Sequence, residues 1–176
     1  MSFKKYQQYP IVQNFKREWA DKTITKAPIY CSVDLRDGNQ ALINPLTVEQ
    51  KLEYFKALVK MGFKQIEVSY PSASDTDFNF TRKLIEEDLV PDDVAIQILI
   101  PAKKEWIKKS VEAMSEVKNG IFHLYNPTNE FQRRVVFQKS DDEIIQMAVE
   151  AMQYLVELTK DFKGKVTYQY SPESFS

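Results

Sequence analysis

The sequence predicts an α/β domain built on a parallel sheet, and three observations point there. Short apolar runs suited to buried strands begin near residues 29, 65, 94, 121 and 165. A segment with apolar residues at helical spacing follows each of the first four. The strand starts lie about 36, 29, 27 and 44 residues apart, the size of a strand–helix unit. Such alternation implies parallel strands joined by right-handed helical crossovers. A doubly wound open sheet and a (β/α)₈ barrel cut short both satisfy the pattern. Either one carries its functional loops at the C-terminal ends of the strands.

Each element has a local reason. Residues 1–27 form a polar arm in which Tyr6, Tyr9, Val12, Phe15 and Trp19 are scattered without a period, so an extended segment lying on the domain is expected. Ile29–Val33, after Pro28, is the first strand. Thr47-Val48-Glu49-Gln50 is a capping box: the Thr hydroxyl accepts from the Gln50 amide while the Gln side chain reaches back. Val48, Leu52, Phe55 and Val59 continue that helix, and Gly62 ends it, because glycine takes the left-handed conformation cheaply. Ile66, Val68 and Tyr70 alternate as a second strand ended by Pro71. Asp75 is the expected cap of a helix carrying Phe78, Leu84 and Ile85, closed before Pro91. Val94–Ile100 is the third strand. A helix after Pro101 is expected to turn Trp106, Ser110, Ala113 and Val117 to one side. Gly120 precedes the fourth strand, Ile121–Tyr125, and a long loop covers 126–139. Ser140-Asp141-Asp142-Glu143 is a second capping box, before a helix with Ile144, Ala148, Met152, Leu155 and Phe162 that stops at Gly164. Val166–Tyr170 is the fifth strand.

Composition narrows the function. The 176 residues carry 24 Lys+Arg against 25 Asp+Glu, a net charge of −1, with 43% hydrophobic residues. This is the profile of one globular domain with a sizeable core. It lacks the basic footprint of a nucleic-acid or polybasic membrane binder. Cys31 is the single cysteine, so no internal disulfide is possible. No apolar run approaches the roughly 18 residues of a membrane span, and Met1–Tyr9 has lysines but no apolar stretch after them. A cytoplasmic location is expected.

Chemistry-bearing residues gather at the strand ends. After the first strand, Asp34-Leu35-Arg36-Asp37-Gly38-Asn39-Gln40 packs carboxylates, a guanidinium and amides into seven positions. An Asp there can ligate a hard divalent cation, and an Arg beside it can meet a carboxylate or a developing oxyanion; a plain Arg–Asp loop contact fits the local pattern equally. Glu67 alternates with Ile66 and Val68 and faces either the sheet interior, where it needs a partner, or solvent. Gln97, Lys103 and Lys104 read as a solvated face. His123, the only histidine, is a core residue or a donor to a substrate carboxylate or carbonyl. Ser171 and Glu173, two apart at a strand end, can share a site as hydrogen-bond donor and acid/base. No zinc-type Cys/His spacing, Gly-rich phosphate loop or Gly-x-Ser-x-Gly is present.

Together these residues resemble 2-isopropylmalate synthases. The resemblance rests on Val33-Asp34-Leu35-Arg36-Asp37-Gly38-Asn39-Gln40-Ala41-Leu42, Ile66-Glu67-Val68, Pro71-Ser72-Ala73-Ser74-Asp75-Thr76-Asp77-Phe78, His123-Leu124-Tyr125-Asn126, Gln132-Arg133-Arg134-Val135-Val136-Phe137 and Tyr170-Ser171-Pro172-Glu173-Ser174-Phe175. It runs from about Tyr9 to the last residue. It implies a TIM-barrel catalytic domain, of which residues 28–176 would be the first four and a half of eight units, an incomplete barrel. It also implies condensation of acetyl-CoA with 2-oxoisovalerate to 2-isopropylmalate and CoA in leucine biosynthesis. A divalent metal (Mg, Mn or Zn) would hold the oxoacid. By that resemblance Asp37 is a metal ligand and Arg36 stabilises the developing alkoxide. By the same resemblance Glu67, His123 and Ser171 line the oxoacid pocket, Glu173 belongs to the acid/base machinery near the acetyl-CoA methyl group or to the oxoacid pocket, and Gln40 braces the metal loop from behind. Citramalate and homocitrate synthases, which use other oxoacids, are the related alternative, and a non-catalytic truncated or split-gene half-barrel is another.

The chain departs from the family pattern in two ways. The His-x-His metal ligands of a later strand have no counterpart, and Ser69 stands where the family has glycine, which would tighten the pocket. A half-barrel leaves two strand edges, so self-association or a homodimer is expected of the isolated chain, along with negligible synthase activity.

Overall fold

The computed structural model describes residues 24–175, so most of the N-terminal arm expected over 1–27 lies outside the described residues. Five strands, β1 (Cys31–Ser32), β2 (Gln65–Ser69), β3 (Ala95–Pro101), β4 (Asn119–Pro127) and β5 (Lys165–Glu173), alternate with four helices. These are α1 (Val48–Met61), α2 (Asp75–Glu86), α3 (Lys104–Ala113) and α4 (Asp141–Thr159). All neighbouring strands pair in parallel, in the order β1-β2-β3-β4-β5. That order decides between the two architectures. A doubly wound sheet reverses its strand order at a switch point, whereas strictly sequential strands with right-handed crossovers keep every helix on one side. The fold is therefore successive units of a (β/α) barrel.

Local chemistry sets the helix ends. Both capping boxes form: the Thr47 hydroxyl accepts from the Gln50 amide, and that of Ser140 from Glu143, with the Gln50 and Glu143 side chains returning the bond. Gly62 ends α1 at φ 97°, in the left-handed region. The cap of α2 is Ser74, whose hydroxyl accepts from the Asp77 amide; Asp75, the expected cap, is the first helical residue. Helix α3 buries Ile107, Ser110, Val111 and Ala113. The expected stripe was offset: Trp106 is half-buried at the cavity described below, and Val117 packs in the core beyond the helix end. Helix α4 stops at Thr159, and Phe162 meets Phe122 edge-on at 6.0 Å from the following turn. At Gly164 a methyl group would sit 1.9 Å from the Val117 carbonyl oxygen, so only glycine lets α4 return close enough to start β5 beside β4.

The core lies between sheet and helices. Ile66, Val68, Ile96, Ile98, Ile100, Phe122 and Leu124 point from the strands into it and meet Phe55, Leu58, Phe80, Leu84, Ile107 and Leu155 from the helices. Each such side chain contributes about 1.5–3 kcal/mol by leaving water. The alternate positions face the other way and carry the polar residues. Among the described residues, no helix is long and apolar enough to cross a membrane.

Candidate active site

Strand β1 is short because the chain folds back at once. The amides of Arg36, Asp37 and Gly38 converge on the Val33 carbonyl at 3.2, 2.8 and 3.2 Å, making the π-helical turn Asp34–Gly38. Leu35 is fully buried and anchors the turn, which leaves Arg36 and Asp37 at the rim. The Arg36 Nε donates to Glu67 Oε1 at 2.5 Å, and its Nη1 donates to Asp37 Oδ1 at 2.6 Å.

Glu67 is the hub. It is wholly buried on β2. Besides Arg36, its carboxylate accepts from the Gln97 amide on β3 and from Nδ1 of His123 on β4, the latter at 2.7 Å. The other imidazole nitrogen, Nε2, lies 2.7 Å from Ser171 Oγ on β5. A continuous polar chain thus crosses the rim from the β1 turn to β5. Burial alone pushes the Glu67 carboxyl up, but the His123 and Gln97 hydrogen bonds and the Arg36 charge outweigh it and hold the group below the usual carboxylate range. An ionised Glu67 accepts only, so Nδ1 carries a proton, and in the neutral ring Nε2 takes the Ser171 hydroxyl hydrogen. Cys31, half-buried behind this chain, is no nucleophile: burial, then the Glu67 charge, push its thiol up to about 11.

Beside the chain lies a cavity of about 310 Å³, lined by Tyr70, Trp106, Tyr125, Asn126, Phe137 and Glu173, among others. The Tyr70 and Tyr125 hydroxyls meet at 3.3 Å. Burial, then that contact, push the Tyr70 phenol well above its ordinary value, so it stays a neutral donor. Glu173 is two residues from Ser171 on β5 and so shares its face of the sheet.

The structure gathers Arg36, Glu67, His123 and Ser171 into one bonded chain and sets Asp37 against Arg36 and Glu173 in the cavity wall. Gln40 is exposed; the loop is braced instead by buried Asn39, whose side-chain oxygen accepts from the Leu46 amide at 2.8 Å. Gln97, expected on a solvated face, is buried at the centre of the chain. The signal for it was present: Gln97 pairs in register with Glu67, so two polar residues interrupt neighbouring apolar strands at one level. Ser69 does not narrow the pocket. A bulge between Glu67 and Ser69 shifts its register, and its hydroxyl bonds Thr81 of α2 at 2.6 Å.

The donor chemistry suits one arm of a divalent-cation site. Asp37 is an accessible hard carboxylate at the rim, its side chain 61% exposed. Among the described residues no three His, Cys, Asp or Glu side chains cluster as a complete ligand set.

A model of the HMGL-like family matches residues 27–176. The chain belongs to the HMGL-like family. Within it, the sequence is similar to curated 2-isopropylmalate synthases: 51% identical over 179 residues to that of Clostridium acetobutylicum, 52% over 178 to that of Helicobacter hepaticus and 49% over 177 to that of Acetoanaerobium sticklandii. Each comparison covers 100% of this HMGL-like chain but only 32%, 32% and 31% of the relative, so the chain spans about a third of their length.

Proposed function

We propose that this chain supplies the first half of a catalytic barrel that condenses acetyl-CoA with 2-oxoisovalerate. The products are 2-isopropylmalate and CoA, an acyl transfer in leucine biosynthesis. The observation that carries the reading is the bonded chain Arg36–Glu67–His123–Ser171, which runs from the β1 turn to β5 in a sequence similar to 2-isopropylmalate synthases.

In this reading Ser171 and His123 bind the oxoacid, and Glu67 fixes the imidazole so that one nitrogen always faces the ligand. Glu173 takes a proton from the acetyl methyl group. The resulting carbanion attacks the keto carbon, forming the C–C bond, and the carbonyl π electrons move onto oxygen. Arg36, held by Glu67 on one side and Asp37 on the other, is a fixed, permanently charged donor for that alkoxide, which then takes up a proton. Water hydrolyses the thioester and releases CoA. Asp37 would contribute one ligand to a divalent metal completed by residues outside this chain; such an ion polarises the keto group. Among the described residues β1 and β5 are the outer strands of the sheet, and they would join the rest of the barrel or, in the isolated 176 residues, a second copy. We place the enzyme in the cytoplasm.

The test is CoA thiol release by the full-length gene product supplied with acetyl-CoA and a panel of oxoacids. Release that depends on 2-oxoisovalerate and exceeds that with pyruvate or 2-oxoglutarate supports the reading. Preference for another oxoacid, or none, overturns it. Residues 1–176 alone are expected to release no CoA above background.

A further inference from the structure

Lys51 is the one lysine among the described residues with no exposed surface. It sits on α1, its Nζ 5.4 Å from the centre of the Phe80 ring. A buried lysine is costly without a partner, and an apolar side chain of similar size often serves stability as well or better. Its bonds therefore ask for another explanation. Nζ donates to the carbonyl of Leu35 at 3.1 Å and to Oδ1 of Asp77 on α2. The other Asp77 oxygen, Oδ2, accepts from the backbone amide of Tyr70 at 2.8 Å, where β2 ends. Asp77 also accepts from Thr81 Oγ1 through its backbone carbonyl, and Thr81 Oγ1 lies 2.6 Å from Ser69 Oγ. The pair thus ties two places on the rim. One is the carbonyl immediately before Arg36 and Asp37. The other is the strand end that carries Glu67, three residues back, and Tyr70 of the cavity.

We propose that Lys51 and Asp77 are positioning residues that set the Asp34–Gly38 turn against the end of β2, so that Arg36 stays seated on Glu67. The pair touches no reacting group; it acts through the backbone on either side. A lysine suits the task because one ammonium can donate to a carbonyl and a carboxylate at once. The proposal rests on the synthase reading only for its catalytic consequence, not for the geometry.

The test uses the full-length gene product with Lys51→Met and with the uncharged double variant Lys51→Met/Asp77→Asn, in which the amide oxygen can still accept from Tyr70. Three measurements are made: melting temperature, hydrogen exchange of the 34–38 amides, and the kinetics of oxoacid-dependent CoA release. The double variant is expected to melt within a few degrees of the native protein. Exchange at Asp37 and Gly38 should accelerate about tenfold or more while β3 amides keep their protection. kcat should fall about 10–100-fold, the usual scale for residues that orient a site from behind, with KM for acetyl-CoA unchanged. If Lys51→Met alone does not fold, the double variant carries the test. A double variant that folds with native exchange at 34–38, or one that does not fold at all, overturns the proposal. If the native protein releases no CoA, the synthase reading fails while the exchange result still decides the positioning role.

Discussion

The two faces of the sheet are built from the same strands and solve opposite problems. On the helix side, Ile66, Ile96, Ile98 and Phe122 are fully buried and need nothing from one another beyond shape. On the other side, one residue along each strand, stand Glu67, Gln97 and His123, almost as deeply buried and bonded in a line. The first face is held by area removed from water, a non-directional force that tolerates exchange of similar volumes. The second is held by directional bonds, where each group leaves its neighbour unsatisfied if removed. Period-two alternation lets a strand serve both, so stability and chemistry can be perturbed separately.

Four substitutions sharpen that separation, in order of decreasing effect. Phe122→Ala, on the apolar face, should lower unfolding free energy by about 3–5 kcal/mol in urea titrations of the full-length gene product, the range for large-to-small core changes. Glu67→Gln, on the polar face, keeps the volume but removes the charge that faces Arg36 and His123; a loss of about 1.5–3 kcal/mol is expected, as for a hydrogen bond to a charged group. It should also change the acid limb of stability. Because the folded Glu67 carboxyl lies below its ordinary value, its contribution is present above the unfolded-state value near 4.5 and is lost as pH falls through the lower folded value. The native protein should therefore lose stability on acidification in that window more steeply than Glu67→Gln, measured by melting temperature against pH. Thr47→Ala removes the hydroxyl of the α1 capping box, far from either face's centre, and should cost about 1 kcal/mol. Lys83→Gln breaks the exposed pair between Lys83 of α2 and Glu87, the residue just past its end, and should leave the melting temperature unchanged.

The apolar face was readable from the sequence because helical and strand periods are local. Val48, Phe55, Ile66 and Ile96 announce themselves by spacing, and Thr47, Gly62 and Ser140 mark their own helix ends. The strand order was not readable, since parallel pairing depends on which strands meet after the helices cross over. The polar face was half legible. Arg36, Glu67, His123 and Ser171 fell at strand ends, but the bonds among them span from 31 to 56 residues of chain and need the register. Gln97 was misread because a lone amide in an apolar strand looks the same whether it faces solvent or a buried carboxylate. Lys51 goes unread for the same reason, and Asp77 is visible only as part of the Pro71–Phe78 string: a charged residue on an amphipathic helix reads as surface until its neighbour is known.

The division of labour stands or falls on Glu67→Gln in the full-length gene product, assayed for CoA release with acetyl-CoA and saturating 2-oxoisovalerate. Loss of the group that holds both Arg36 and His123 should lower kcat about 100-fold or more, with a melting temperature at neutral pH only a few degrees lower. Near-native turnover by that variant would contradict it, for the buried polar chain would then be a device of stability alone.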